Sequence, residues 1–253
     1  MSRVTCLIIT AVFPPEPVVS AQISNDLARE ISEKVDVVVL CPKPSRPAGS
    51  AFQLSPAPQI QFKRIILSSF LSPGASMIGR MIESLSFGRA CKKYIRAHSE
   101  KISVIYANTW PLFAQLSVVK SCIKYNIPLI LHIQDIYPET LTDKLGLAGG
   151  LIKKVLLPID RFVLRNSRTI VTIGQRMAEF ISATRGIDNI KIAVIYNWQD
   201  ESRFKEPEYI QKAEPGLTFM YLGSLSPSAN IEAVIEAFGD AGLRDSTLVI
   251  AGS

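Results

Sequence analysis

The sequence predicts an α/β protein built on a parallel sheet with helices on both faces. Two observations carry this. Short apolar runs recur along the chain, and segments of helical period separate most of them, which is the pattern of strands buried on both sides. A third observation divides the chain: after a polar stretch near residue 200 the same strand–helix–strand pattern begins again.

Taken in order, the strands are expected at 4–10 (VTCLIIT), 35–40 (VDVVVL), 60–66 (IQFKRII), 103–107 (SVIYA), 128–133 (PLILHI), 168–173 (RTIVTI) and 190–196 (IKIAVIY). Helices are expected at about 20–33, 76–98, 111–125, 150–166 and 174–184. In the first of these Ser20 reads as the N-cap, with Ile23, Leu27 and Ile31 on one face. "CPKPSRPAG" (41–49) reads as an irregular, exposed loop. Residues 1–200 thus form one domain, and 201–216 a polar linker carrying two prolines. Residues 217–253 then supply "LTFMYLG", a helix around 229–238 and "TLVIAGS". A βαβ unit this small cannot bury a core alone, so the chain is expected to stop just after a second domain has begun.

Composition narrows the function classes. Hydrophobic residues make up 47% and charged residues 20%, an ordinary globular balance. No targeting segment stands out, and the longest low-charge stretch, 102–119, is broken by Asn108, Thr109, Pro111 and Gln115. Cys6, Cys41, Cys91 and Cys122 are dispersed, with no CxxC pair and no His at metal-like spacing, which makes a reduced cytoplasmic protein without a metal site the default. Net charge is +6 but uneven. Residues 1–200 hold 24 Lys/Arg against 14 Asp/Glu, whereas 201–253 hold 4 against 8. The asymmetry suits an anionic ligand or membrane surface, and equally ordinary surface variation. Nucleic acid is not expected, because the cations are not interleaved with aromatics in a recognisable module. GxSxG, GxxxxGK[ST], HExxH and Asp-x-Asp signatures are all absent.

In open parallel sheets ligands bind beyond the carboxyl ends of the strands. Three stretches fall there. The first is 10–31, where backbone N–H groups near Ala21 and Gln22 could receive a phosphate or merely begin a capped helix. The second is "HIQDIYPE" (132–139), where a core strand closes on His132, Gln134, Asp135 and Glu139. Either these form a functional cluster, with Asp135 and Glu139 freed from the core by the turn, or the carboxylates cap a turn around a core histidine. The third is "YLGSLSPSANIEAV" (221–234), a diphosphate loop or a corner. Between them, 67–98 interleaves Phe70, Met81, Ile82 and Leu85 with Arg80, Arg89, Lys92 and Lys93, which suits either an anionic bilayer interface or a helix with a solvated basic face.

Taken together, "FPPEPVVSAQISNDLAREI", "HIQDIYPE", "VTIGQRMAEFI" (171–181), "IAVIYNWQD" (192–200) and "FMYLGSLSPSANIEAVIEAF" (219–238) resemble the family 4 glycosyltransferases, in order and along the whole chain. That resemblance implies two Rossmann-like domains in the GT-B architecture, the first binding acceptor and the second donor. It also implies bacterial O-antigen, capsule or exopolysaccharide synthesis, with a sugar moved from a nucleotide-sugar to a lipid-linked saccharide at the cytoplasmic face of the inner membrane. Configuration would be retained, and no metal or other cofactor is expected. By position it implies Asp135 and Glu139 as catalytic and Glu16, His132, Gln134 and Tyr137 as acceptor-binding. Ser20, Ala21, Gln22, Gly223 and Ser224 would bind donor, and Arg80, Arg89, Lys92 and Lys93 would contact an anionic membrane. The sequence departs from the family at three places, the most serious being that the Glu-x7-Glu region of the donor domain is not present in these 253 residues. Pro17-Val18-Val19-Ser20 stands where paired glycines are common, and the two cations of the Gly-Arg-Leu-x-x-x-Lys pattern are replaced by Ser224 and Ala229. The chain is therefore expected to be inactive alone. Two other readings stay open: a non-catalytic acceptor- or membrane-binding subunit of a two-chain transferase, and a sugar-nucleotide epimerase.

Overall fold

The structure, a computed structural model, describes residues 4–45, 61–72, 76–108, 112–142, 146–199, 216–223, 225 and 229–252. The chain forms two compact units, Met1–Gln199 and Asp200–Ser253.

The first unit is a seven-stranded parallel sheet. Its strands are β1 (Thr5–Ile9), β2 (Asp36–Cys41), β3 (Lys63–Ile66), β4 (Val104–Asn108), β5 (Leu129–Ile133), β6 (Thr169–Thr172) and β7 (Ile192–Val194), in the order β3-β2-β1-β4-β5-β6-β7. The reversal of direction lies at β1 and β4, so the connections after these neighbours diverge to opposite sides and open a crevice at the carboxyl edge. Helices are α1 (Val19–Ser32), α2 (Met77–His98), α3 (Leu112–Tyr125), α4 (Glu139–Thr142), α5 (Gly146–Arg165) and α6 (Gln175–Arg185). Among the described α-helices, the short α4 is the one that the apolar period does not announce.

Both faces of the sheet are covered, as the unbroken apolar strands require. Leu7 and Ile9 of β1 face one cluster with Ile105 and Leu131, joined by Phe87 of α2, Val118 of α3 and Leu164 of α5. Cys6 and Ile8, the alternate positions, face the opposite cluster with Val39 and Ala28 of α1. α3 packs between α2 and α5. It approaches α2 so closely that a Cβ on Gly88 would lie 2.9 Å from the Ala114 Cα. α2 starts at a true cap: the Ser76 hydroxyl accepts the Gly79 N–H at 3.1 Å. α6 ends at Gly186, whose φ of +63° is a left-handed stop that only glycine adopts freely. All four cysteines are buried free thiols, and burial pushes Cys6 up to about 11.

The second unit contains β8 (Leu217–Leu222), α7 (Ile231–Asp240) and β9 (Ser246–Ala251), with β8 and β9 paired in parallel. No residue of α7 is buried, in keeping with the small area a single βαβ unit can cover.

Candidate functional site

The carboxyl ends of β1, β4 and β5 converge on a polar cluster. Register places Asn108 opposite His132 and Ile9 opposite Ala107, so Thr10, Asn108 and His132 leave the sheet side by side. Asn108 Nδ2 donates to Ser24 Oγ at 2.8 Å, Thr10 Oγ1 meets the same oxygen at 3.0 Å, and the Ser24 hydroxyl donates to the Ser20 carbonyl at 2.7 Å. The Ser20 hydroxyl in turn donates to Gln134 Oε1 at 2.8 Å. The β1–α1 segment and the end of β5, separated by 114 residues, are thereby tied into one surface. Asp135 follows directly and is exposed.

Several expected residues have other positions than the sequence suggested. Ser20 does not cap α1. Val18 occupies the N-cap position with no side-chain bond, and the helix begins at Val19 because Val18 packs against Ala11, Val12 and Ala21. The amides of Ala21 and Gln22, expected to be open to a phosphate, both donate to the Val18 carbonyl, at 3.0 and 3.3 Å. Helix geometry leaves Val19 and Ser20 as the residues whose N–H groups lack an intrahelical acceptor. Ala21 is wholly buried, and Gln22 Nε2 donates to Asp26 Oδ1. Glu16 is also buried. Its carboxylate accepts the Phe13 N–H at 3.1 Å and the Ser45 N–H at 2.9 Å, which clamps the β1–α1 segment to the chain after β2.

His132 is fully buried and its Nδ1 lies 2.6 Å from the Tyr106 hydroxyl. Burial holds the imidazole at about 4, so it is neutral near pH 7. Among the described residues its Nε2 has no hydrogen-bond partner.

Glu139 is not freed by the turn. It sits at the start of α4 and is held by Arg185 from α6. Arg185 is 2% exposed, and its five N–H groups meet five acceptors. Nε donates to Asp160 Oδ2 at 2.7 Å, Nη1 to Glu139 Oε1 at 2.9 Å and to Thr184 Oγ1 at 2.8 Å, and Nη2 to Glu139 Oε2 and the Tyr137 carbonyl. Lys153 of α5 adds a second cation 3.2 Å from Glu139. Burial opposes ionisation of both carboxylates. In Glu139 the bidentate Arg185 bonds outweigh it and the pKa falls, whereas burial wins in Asp160, which rises to about 6. Tyr137 packs its ring on the main core, and burial raises its phenol. The expectation of an exposed carboxylate pair therefore reduces to Asp135 alone, with Glu139 anchoring the turn behind it. Sequence reasoning missed Arg185 and Asp160, and also Thr10, Ser24 and Asn108.

Gly223 ends β8 in the second unit, where its N–H donates to the Ala251 carbonyl at 3.0 Å; Ser224 lies outside the described residues. Of the expected membrane cations, Arg89, Lys92 and Lys93 are exposed, while Arg80 pairs with the buried Glu83 at 3.1 Å. Among the described residues no group of three or more His, Cys, Asp or Glu side chains could hold a metal ion. An open cavity of about 1130 Å3, lined by Asn126, Arg165, Arg168 and Lys191 among others, lies at the amino edge of β5 and β6. That is the opposite edge of the sheet, where the carboxyl ends of α3 and α5 account for the cations.

The sequence model of Glycosyltransferase Family 4 matches residues 21–203. The chain belongs to glycosyltransferase family 4. The matched span includes most of α1, the β5 turn and the Arg185 network, so Ser24, Asn108, His132, Gln134 and Asp135 fall within the part that carries family membership, while Thr10 and Ser20 precede it. Solved structures share the fold of this family 4 chain at low identity. HepE of Anabaena in complex with UDP and glucose is 17% identical with a TM-score of 0.61, and the match covers 98% of this chain and 60% of HepE. Sucrose-phosphate synthase of Thermosynechococcus elongatus is 11% identical with a TM-score of 0.65, covering 99% and 71%. Phytolacca americana UGT2, complexed with UDP-2-fluoro-glucose and pterostilbene, is 11% identical with a TM-score of 0.56, covering 100% and 72%. The family 4 chain thus spans only 60% of the length of HepE. No curated protein matches the sequence.

Proposed function

We propose that this chain is the acceptor-binding part of a glycosyltransferase. The enzyme moves a sugar from a nucleotide-sugar donor to a lipid-linked saccharide in cell-surface polysaccharide synthesis, with retention of configuration and without a metal. The observation that carries the reading is the family 4 match over 21–203, which includes the carboxyl ends of β4 and β5 with Asn108, His132, Gln134 and Asp135. UDP and glucose in the HepE complex, and UDP-2-fluoro-glucose in the UGT2 complex, support a nucleotide-sugar donor.

In this reading the acceptor hydroxyl sits against Asp135, whose exposed carboxylate holds it and accepts its proton as the glycosidic bond forms. Gln134, fixed by Ser20, orients the acceptor beside it. His132 contributes shape rather than proton transfer, since its ring is fully buried and burial disfavours the imidazolium it would become on accepting a proton. Glu139, with Arg185 and Lys153, positions the turn that presents Asp135. The open amides at the start of α1 are assigned to the donor diphosphate, where backbone dipoles stabilise the leaving charge. Arg89, Lys92 and Lys93 meet an anionic membrane, at the cytoplasmic face of the inner membrane.

The test is a screen of UDP- and GDP-sugars with lipid-linked saccharide acceptors, using the full-length enzyme and the 253-residue chain in parallel. Transfer with retained anomeric configuration by the former and none by the latter is expected. An inverted product would overturn retention, transfer by the 253-residue chain would overturn its dependence on further sequence, and product formed without acceptor would favour an epimerase.

A further inference from the structure

The helix layer on the α2–α3–α5 side of the sheet has an unusual charge distribution. α2 presents Arg89, Lys92, Lys93 and Arg96 to solvent. α3 adds Lys120 and Lys124, and α5 adds Lys154, Arg161 and Arg165. The three helices contain only two carboxylates, Glu83 and Asp160, and both are buried and paired with arginine. The outward charge of the layer is therefore entirely positive. α6, at the edge of the layer, offers one of each sign, Arg176 and Glu179, and α1 on the other face does the same with Arg29 and Glu30.

The same layer exposes aliphatic side chains that packing against the sheet would normally bury. On α2 these are Ile78 at 65%, Met81 and Ile82. On α5, Leu151 at 70%, Val155, Pro158 and Phe162 recur at spacings of four, three and four, which makes one continuous outward stripe. In parallel α/β units every helix runs antiparallel to its strands, so the amino halves of α2 and α5 both lie toward the carboxyl edge of the sheet. Ile78, Met81, Ile82, Leu151 and Val155 thus border the edge that carries the candidate site. Three neighbouring helices at ordinary spacing, the longest of 22 residues, give a face roughly 20 Å wide and 30 Å long.

We infer that the α2–α3–α5 face is a docking surface for an anionic lipid bilayer, with its aliphatic side chains entering the interface and its lysines and arginines meeting the headgroups. Charge selects this occupant. A second copy of the same face would oppose cation to cation, and nucleic acid would leave the aliphatic stripe unused, since single-strand binding relies on exposed aromatics. No helix among the described residues is long and apolar enough to cross a membrane. The inference deepens the proposed membrane contact, extending it from α2 to the whole layer. Its use for a lipid-linked acceptor rests on that proposal, but its test does not.

The protein is co-sedimented with vesicles of equimolar phosphatidylglycerol and phosphatidylcholine, and with vesicles of phosphatidylcholine alone. Binding to the former only is expected. Replacing Lys92, Lys93 and Lys154 together with alanine should weaken it by about a hundredfold, at roughly fivefold per cation. Ile78→Ser with Leu151→Ser should remove the part that survives high salt, with the thermal transition unchanged because all five positions are exposed. Failure of the wild-type protein to bind anionic vesicles at low salt would overturn the inference. So would binding that ignores both sets of substitutions, or tighter binding to RNA than to vesicles. Transfer to a soluble acceptor separates this from the proposed function: vesicle binding without any transfer leaves the docking face standing, and transfer without vesicle binding leaves the enzyme reading standing.

Discussion

Removal of the Arg185 guanidinium should destabilise the first unit through the two carboxylates it leaves behind. In Arg185→Met the methionine fills much of the space, but Asp160 loses its partner and Glu139 keeps only Lys153. Five hydrogen bonds vanish, yet their sum overstates the loss, because the wild-type protein has already met the cost of desolvating a cation that is 2% exposed. Breaking a buried ion pair from one side costs about 3–5 kcal/mol, which is a large share of the stability of a typical domain. Urea denaturation at neutral pH should show this as a shift in midpoint. The deficit should shrink toward pH 5, because without Arg185 both carboxyls protonate more readily and a neutral carboxyl needs no counter-ion. An unfolding free energy within about 1 kcal/mol of wild type, or a deficit that does not vary with pH, would refute the assignment of Arg185 as the buried hub.

Three further outcomes follow from the same geometry. Asp135→Asn, at an exposed position, should leave the unfolding free energy within about 0.5 kcal/mol of wild type while lowering the proposed sugar transfer by about 10²-fold or more; intact transfer would remove Asp135 from the chemistry. For Asp160, with a folded value of about 6 against an ordinary 3.8, the stabilisation from protonation is fully present below about 3.8 and is lost as pH rises through about 6. Asp160→Asn should therefore gain on wild type across that window by about 3 kcal/mol, and parallel pH–stability curves would contradict it. His132, held at about 4, should show no imidazole titration near neutrality in NMR spectra, and a transition above pH 6 would mean that the ring is not buried as described.

The elements were legible because strands buried on both faces must be apolar throughout, as VTCLII and PLILHI are, while the helices between them carry a 3.6-residue period. The start of α1 was not. A serine in a capping position is a local signal, but the entry of Val18 into the small cluster with Ala11, Val12 and Ala21 moved the boundary two residues earlier. α4 escaped because four residues carry no measurable period.

For the site, the sequence by itself determined that polar side chains gather where β5 ends, and that His132 lies within the strand. Only the tertiary structure decided which of those side chains face outward. Asp135 and Glu139 look alike in the sequence, and so does Arg185 beside any other basic residue in the last turn of a helix. Arg185 reaches Glu139 across 46 residues of chain, as Ser20 reaches Gln134 across 114, because the parallel sheet returns each connection to the same edge. A local pattern records periodicity and composition, whereas the pairing of a buried charge depends on which distant element packs beside it. That is why one carboxylate became an anchor and the other remained at the surface.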